Sequence, residues 1–316
     1  MTITAREYGG GIIAVDSGLL RREMAACYLL ETPRQVALIE VGCNSSASQI
    51  LGALERRGRH AQEVSHIIVT HVHLDHAGGA GTLMKALPEA TLVVHPRGAR
   101  HLVDPAQLEA GVRSVYGDEV YDAQYGHLVP VPEERVRIMQ DGDTLTVGNR
   151  ELLFRDTPGH ARHHFCIWDQ QTRGWFTGDT FGISYRQLDT VRGPFIFPAT
   201  TPVQFDPQAL TASVNLLMEQ SPRFMYLTHF GRVGDTWRLA EDMIRGIRKL
   251  VELAERYARS PTRRQDIETG MLDWLLQSAR AHGVDMSQER LVGFLQMDVI
   301  LNTRGIEYWL DHRGTA

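Results

Sequence analysis

Along the first half of the chain, short apolar runs alternate with turn residues and charge. Residues 11–15, 27–30 and 36–41 are apolar runs bounded by Gly, Pro and charged side chains, and each predicts a strand. Residues 45–57 predict a helix, with Ile50, Leu51 and Leu54 on one side and Gly58 as its stop. The short β-branched run 66–70 predicts a buried strand. A helix over 77–87 stops at Pro88, and 91–95 predicts another strand. Between Pro96 and Pro132 the pattern loosens. Leu102, Leu108, Val112 and Val115 suggest short helices, read here as a lid or side insertion. Strands resume at 136–139, 144–147, 151–156, 164–168 and 174–177.

The second half changes character. Residues 206–220 predict a helix with Asp206 or Pro207 at its start, and 224–227 predict a strand. Over 235–257 the apolar positions Trp237, Ala240, Ile244, Ile247, Val251 and Ala254 form a helical stripe that should face a core. Two further helices are expected over 264–282 and 288–301. No repeat, low-complexity tract or linker interrupts the chain. The expectation is a mixed α/β protein of one domain, residues 1–316, with 235–316 as a helical extension packed on the sheet region.

Composition narrows the class. The 316 residues are 43% hydrophobic and 22% charged, which excludes disorder, collagen-like repeats and a coiled coil. A net charge of −5 does not point to a nucleic-acid or anionic-membrane partner, and no apolar run is long enough to span a bilayer. Three cysteines are too few for a disulfide framework and fit a reducing compartment. Residues 1–10 carry Arg6 and Glu7 with no apolar core, so a secretion signal is not expected and the expected location is the cytoplasm. The 14 histidines stand out, because several of them cluster.

The decisive segment is Thr70-His71-Val72-His73-Leu74-Asp75-His76-Ala77-Gly78-Gly79. Period-two spacing puts His71 and His73 on one side of an extended segment. Asp75 and His76 follow where the chain turns into a helix, so they can face a second centre. Imidazole suits zinc or iron, and a carboxylate is a harder ligand that often accompanies it. Three more polar residues sit at strand ends: His160 in Thr157-Pro158-Gly159-His160, Asp179 in Phe176-Thr177-Gly178-Asp179, and His229 in Thr228-His229-Phe230-Gly231. Loops at the ends of strands on a rigid sheet are where sites are usually built.

This arrangement closely resembles the metallo-β-lactamase superfamily. His71-Val72-His73-Leu74-Asp75-His76 matches that family's His-x-His-x-Asp-His signature, and His160, Asp179 and His229 match its downstream ligands in order. The resemblance covers at least residues 11–231. It implies an αββα sandwich, here with additional C-terminal helices. It further implies that His71, His73 and His160 bind one metal, that Asp75, His76 and His229 bind a second, and that Asp179 bridges them. The cofactor expected is two divalent ions, zinc first, with iron or manganese as alternatives. Two such ions about 3.5–4 Å apart can hold a bridging hydroxide and polarise a carbonyl or phosphoryl oxygen. Asp75 is the candidate proton acceptor.

Some positions depart from the family pattern. Glu40, in Leu38-Ile39-Glu40-Val41-Gly42, stands where members often have Asp supporting a ligand. In glyoxalase II-like members the later motif reads Gly-His-Thr-x-Gly-His. Here it is Gly159-His160-Ala161-Arg162-His163-His164, so His164 keeps the second His and His163 replaces the Gly. Both are candidates for substrate contact, or for packing behind the ligands. Tyr185, six residues after Asp179, corresponds to a Tyr that some lactone-hydrolysing members use to hold the substrate carbonyl. The Cys ligand of many true β-lactamases has no counterpart, and Cys43 reads as a turn thiol. His95, His101 and His127 read as ordinary surface or loop residues.

The reading is therefore a binuclear metal hydrolase of the glyoxalase II-like branch, acting on an ester, thioester or lactone carbonyl of a small molecule. The alternatives are a di-iron redox protein of the same superfamily, a phosphodiesterase or nuclease, and a metal-binding regulator without catalysis. No nucleic-acid or membrane partner is expected, and the oligomeric state is not legible. Pocket walls are expected from residues 96–132 and 181–201 and from the C-terminal helices.

Overall fold

A computed structural model describes residues 4–200 and 203–313; Thr201, the last residue of the expected pocket wall, and Met1, Thr2 and Ile3 lie outside the described residues. The chain divides into two compact units. The first comprises residues 1–156, 163–178 and 222–234; the second comprises 157–162, 179–221 and 235–316.

The first unit holds both sheets. One sheet has seven strands in sequence order: β1 (Ala5–Glu7), β2 (Ile12–Asp16), β3 (Ala26–Glu31), β4 (Val36–Ile39), β5 (Val64–Ile68), β6 (Thr91–Val94) and β7 (Val136–Ile138). Pairing is antiparallel from β1 to β4 and parallel from β4 to β7. Parallel pairs need crossover connections. These are α1 (Ala47–Arg56), the pair α2 (Leu74–Ala77) and α3 (Ala80–Ala86), and the group α4 (Ala99–Val103), α5 (Ala106–Tyr116) and α6 (Asp118–Gln124). The second sheet runs β13 (Gly231–Val233), β12 (Phe224–Leu227), β11 (Gly174–Gly178), β10 (Phe165–Asp169), β9 (Arg150–Asp156) and β8 (Thr144–Val147).

Every residue of β2 is buried, because both faces of its sheet are covered. Ile13, Val15, Cys27, Leu29 and Leu38 form one face and pack with Ile50, Ala53, Leu54, Leu83 and Met84 of the crossover helices. The alternate residue Tyr28 points to the second sheet. Its ring lies 5.2 Å from Phe176 and 5.9 Å from Tyr226, and its hydroxyl donates to the Leu227 carbonyl. A buried pair, Arg150 and Asp169, locks β9 to β10, with Arg150 Nε 2.7 Å from Asp169 Oδ1.

The second unit carries α7 (Pro207–Met218), α8 (Thr236–Tyr257), α9 (Arg263–His282) and α10 (Gln288–His312). Asp206 caps α7 by accepting from the Gln208 and Ala209 amides, with Pro207 in the first turn.

The structure differs from the sequence pattern at several points. The helix expected over 77–87 runs from Ala80 to Ala86, separated from the short helix Leu74–Ala77 where the Gly79 amide donates to the Gly42 carbonyl at 2.8 Å. The last helix continues past residue 301 to His312. On α8 the buried stripe is Leu239, Met243, Ile247, Leu250 and Leu253, and Trp237, read as core, is 60% exposed. Residues 96–132 hold three helices, α4 to α6. Among the described residues, no helix is long and apolar enough to cross a membrane.

Candidate metal centre

Strand β5 ends at Ile68, and residues 69–73 lead from it into α2. This short path and α2 deliver four donors in succession. His71 Nε2 and His73 Nδ1 lie 2.7 Å apart, so the two ring nitrogens face one point. On α2, Asp75 Oδ2 is 3.5 Å from His76 Nε2. Strand β12 carries the chain to His229, whose Nε2 is 3.3 Å from the same Asp75 oxygen. The ligand atoms of Asp75, His76 and His229 all lie within 4.8 Å of one another, close enough to hold a metal ion.

Three of these imidazoles are fixed from behind. His71 Nδ1 is 3.0 Å from Thr70 Oγ1, His76 Nδ1 is 2.7 Å from Glu40 Oε2, and His229 Nδ1 is 2.8 Å from the Met24 carbonyl. A carbonyl only accepts, so His229 carries its proton on Nδ1 and presents Nε2 as a lone pair. Metal-binding histidines almost always show this outer hydrogen bond, which sets tautomer and ring orientation. The donor chemistry of the unit therefore fits a divalent transition metal.

Glu40 has a double role. Its other oxygen accepts the Thr70 amide at 2.8 Å, and it is 1% exposed. Thus the residue standing where the family often has Asp reaches both the ligand loop and a ligand. Thr70, Met24 and Glu40 complete the surroundings; Met24 gave no signal in the sequence, because a backbone carbonyl carries no side-chain signature.

The second unit holds His160 and Asp179, with His160 Nε2 3.3 Å from Asp179 Oδ2. His160 Nδ1 donates to the Ala199 carbonyl at 3.0 Å, the same outer-bond pattern. The turn before it is pinned to α7: the Asp206 amide donates to the Gly159 carbonyl and Ser213 Oγ to the Pro158 carbonyl, at 2.8 and 2.6 Å. Gly159 has φ +124°, and a Cβ there would overlap the Leu210 backbone, so only glycine fits.

The remaining candidates divide. His164 is fully buried and stacks 4.8 Å from His71. A Cβ on Gly178 would overlap its Nε2, so the strand end passes directly over the ring. His163 packs edge-on 5.6 Å from His73. Tyr185 is buried in the second unit, with its hydroxyl donating to Asp298 Oδ1 at 3.0 Å. His95 is not a surface residue: it is buried, with Nε2 3.2 Å from Asp156 Oδ1 and Nδ1 accepting the Arg97 amide. Cys43 is buried too, and burial, then the Asp75 charge, push its thiol far above the ordinary cysteine range. It stays protonated and is no nucleophile.

The sequence profile of the metallo-beta-lactamase superfamily matches residues 20–229. The chain belongs to that superfamily. It is similar to YobT of Bacillus subtilis, 26% identical over 209 residues that cover 64% of this chain and 82% of that one. It is also similar to the acyl-coenzyme A thioesterase MBLAC2 of Gallus gallus, 30% identical over 116 residues, covering 35% of this chain and 40% of that one. Among solved structures, an archaeal metallo-beta-lactamase superfamily protein from Sulfolobus tokodaii shares the fold with a TM-score of 0.67, at 20% identity, over 94% of this chain and 98% of that one. The mixed α/β architecture with two sheets is that of the superfamily.

Proposed function

We propose that the protein is a binuclear metal-dependent hydrolase that cleaves a thioester of a small molecule. The observation that carries the reading is the convergence of Asp75, His76 and His229, beside a His71–His73 pair, with outer nitrogens tied on His71, His76 and His229. His160 and Asp179 complete the proposed donor set. Asp179 follows Gly178, the last residue of β11, by one peptide bond, and His160 lies between Asp156 of β9 and His163.

Two divalent ions, once bound, supply a water-derived nucleophile near neutral pH and a Lewis acid for the carbonyl oxygen. The residues of the chain do the rest. Asp75 is the most exposed member of its group, with its side chain 25% accessible, and is the residue proposed to accept a proton from water. His163, beside His73, is the side chain proposed to contact substrate, whereas His164, fully buried, holds the His71 ring by stacking. In the net reaction water adds to the acyl carbon, the C–S bond breaks, and the thiolate leaves and is protonated. The thioester is chosen over an ester or lactone because a relative carries an acyl-coenzyme A thioesterase name.

The test is a substrate panel of acyl-coenzyme A, lactone, β-lactam and phosphodiester compounds, run on zinc- and iron-loaded protein. Preferential thioester turnover is expected. Phosphodiester turnover, or oxygen consumption by the iron form with no hydrolysis, would replace the reading.

A further inference from the structure

Helix α10 carries buried polar residues on one face. Asp298 and Asn302, four residues apart, are 6% and 4% exposed. A buried amide needs a reason, since burying it without partners costs stability. Asn302 has partners on every side, and all of them lie in one short stretch of chain. Its Nδ2 donates to the Pro198 carbonyl at 3.0 Å. Its Oδ1 accepts the Thr200 amide at 2.7 Å, and its backbone carbonyl accepts the Thr200 hydroxyl at 2.8 Å. This pattern fixes the orientation of the amide, because the Pro198 carbonyl requires a donor and the Thr200 amide an acceptor.

Ala199, the residue between those two, accepts from His160 Nδ1. Its neighbours are held on other sides as well. Phe197 pairs with Ile183 through two backbone bonds of 2.9 and 3.1 Å. Pro198 rests on Gly246 of α8, where a Cβ would come within 2.6 Å of its ring. The Ala199 carbonyl is thus held through both of its neighbours, and its direction bears on where the His160 ring points.

We infer that Asn302 is a positioning residue for His160: by clamping Pro198 and Thr200, the last helix fixes the Ala199 carbonyl that sets the tautomer and direction of the His160 imidazole. Helix α10 then acts on His160 through the stretch from Pro198 to Thr200. The inference takes its functional meaning from the reading of His160 as a metal ligand, yet its structural content does not depend on a bound ion.

The experiment uses the full chain with Asn302→Ala, Asn302→Asp and, as a control, Leu275→Ala in the α9 core. Nitrogen-detected NMR of the metal-free protein reads the His160 tautomer; the wild type is expected to hold its proton on Nδ1. In Asn302→Ala the Nδ1–H signal should broaden or give way to the other tautomer, and chelator competition should show one of two zinc equivalents weakened about 10–100-fold, the range for lost outer-shell partners. Asn302→Asp, which keeps the acceptor for Thr200 and loses the donor to Pro198, should fall between. Leu275→Ala should lower the unfolding temperature and leave tautomer and zinc affinity unchanged. A folded Asn302→Ala protein with the wild-type tautomer and both equivalents at wild-type affinity overturns the inference. If that variant does not fold, Asn302→Asp decides in the same way. Should the wild type take up no zinc while its His160 tautomer still follows Asn302, the hydrolase reading fails and the positioning role stands.

Discussion

Glu40 Oε2 lies 2.7 Å from His76 Nδ1, while Oε1 of the same carboxylate accepts the Thr70 amide at 2.8 Å. One buried side chain therefore ties α2 to the end of the ligand loop. Glu40 does so from a left-handed backbone, φ +61°, a conformation that costs a non-glycine residue about 1–3 kcal/mol and persists only where its surroundings enforce it. Glu40→Gln should keep an acceptor for Thr70 but set an amide N–H against His76 Nδ1–H. Zinc affinity is expected to fall about 10–100-fold in a chelator competition. Unchanged affinity would show that His76 is held by other contacts.

His229→Ala removes one of three convergent donors, and the variant should retain one zinc equivalent fewer than the wild type by elemental analysis. Turnover should fall at least about 100-fold, since one metal-held position of the nucleophile is lost. Full metal content and full turnover in this variant would remove His229 from the centre.

Arg150 and Asp169 have side chains 2% and 0% exposed, so the pair is desolvated. Asp169→Ala leaves the guanidinium buried without its partner, which costs about 3–5 kcal/mol. The urea unfolding midpoint should drop accordingly while zinc affinity of the surviving folded fraction is unchanged. A loss under about 1 kcal/mol would mean that water reaches Arg150.

Cys43 gives a prediction in pH. Its thiol is pushed up by burial and by Asp75, so the neutral form persists through the range in which free cysteine ionises, about pH 8–9. Alkylation by iodoacetamide should be slow there, and its rate should climb with pH without levelling off. Rapid modification near neutrality would contradict the burial.

The signature His71 to His76 is legible in the sequence because all four donors sit within six residues and their geometry is set by local backbone. The strands read well for the same reason, since β-branched runs between turns need no long-range information. What the sequence hides is reach. Met24 and Ala199 act through backbone carbonyls, and Asn302 meets Thr200 across 102 residues of chain. His95 lies in a loop as expected, but its burial was not legible because its partner Asp156 is 61 positions away. Trp237 was misread because the apolar stripe of α8 admits two adjacent faces, and packing chose Leu239 and Met243. Glu40 was visible as a departure, but only the structure shows that the longer side chain spans two partners.

The two units alternate along the chain, so that neither is a contiguous stretch. His160 and Asp179 belong to one and the other five proposed ligands to its neighbour. A gene encoding this chain cannot be split at any single codon into two pieces that each carry a whole unit. A cut after residue 234 would leave the first unit whole and divide only the second. Exchange of residues 235–316 would therefore keep all seven proposed ligands while replacing the helix whose Asn302 holds Pro198 and Thr200.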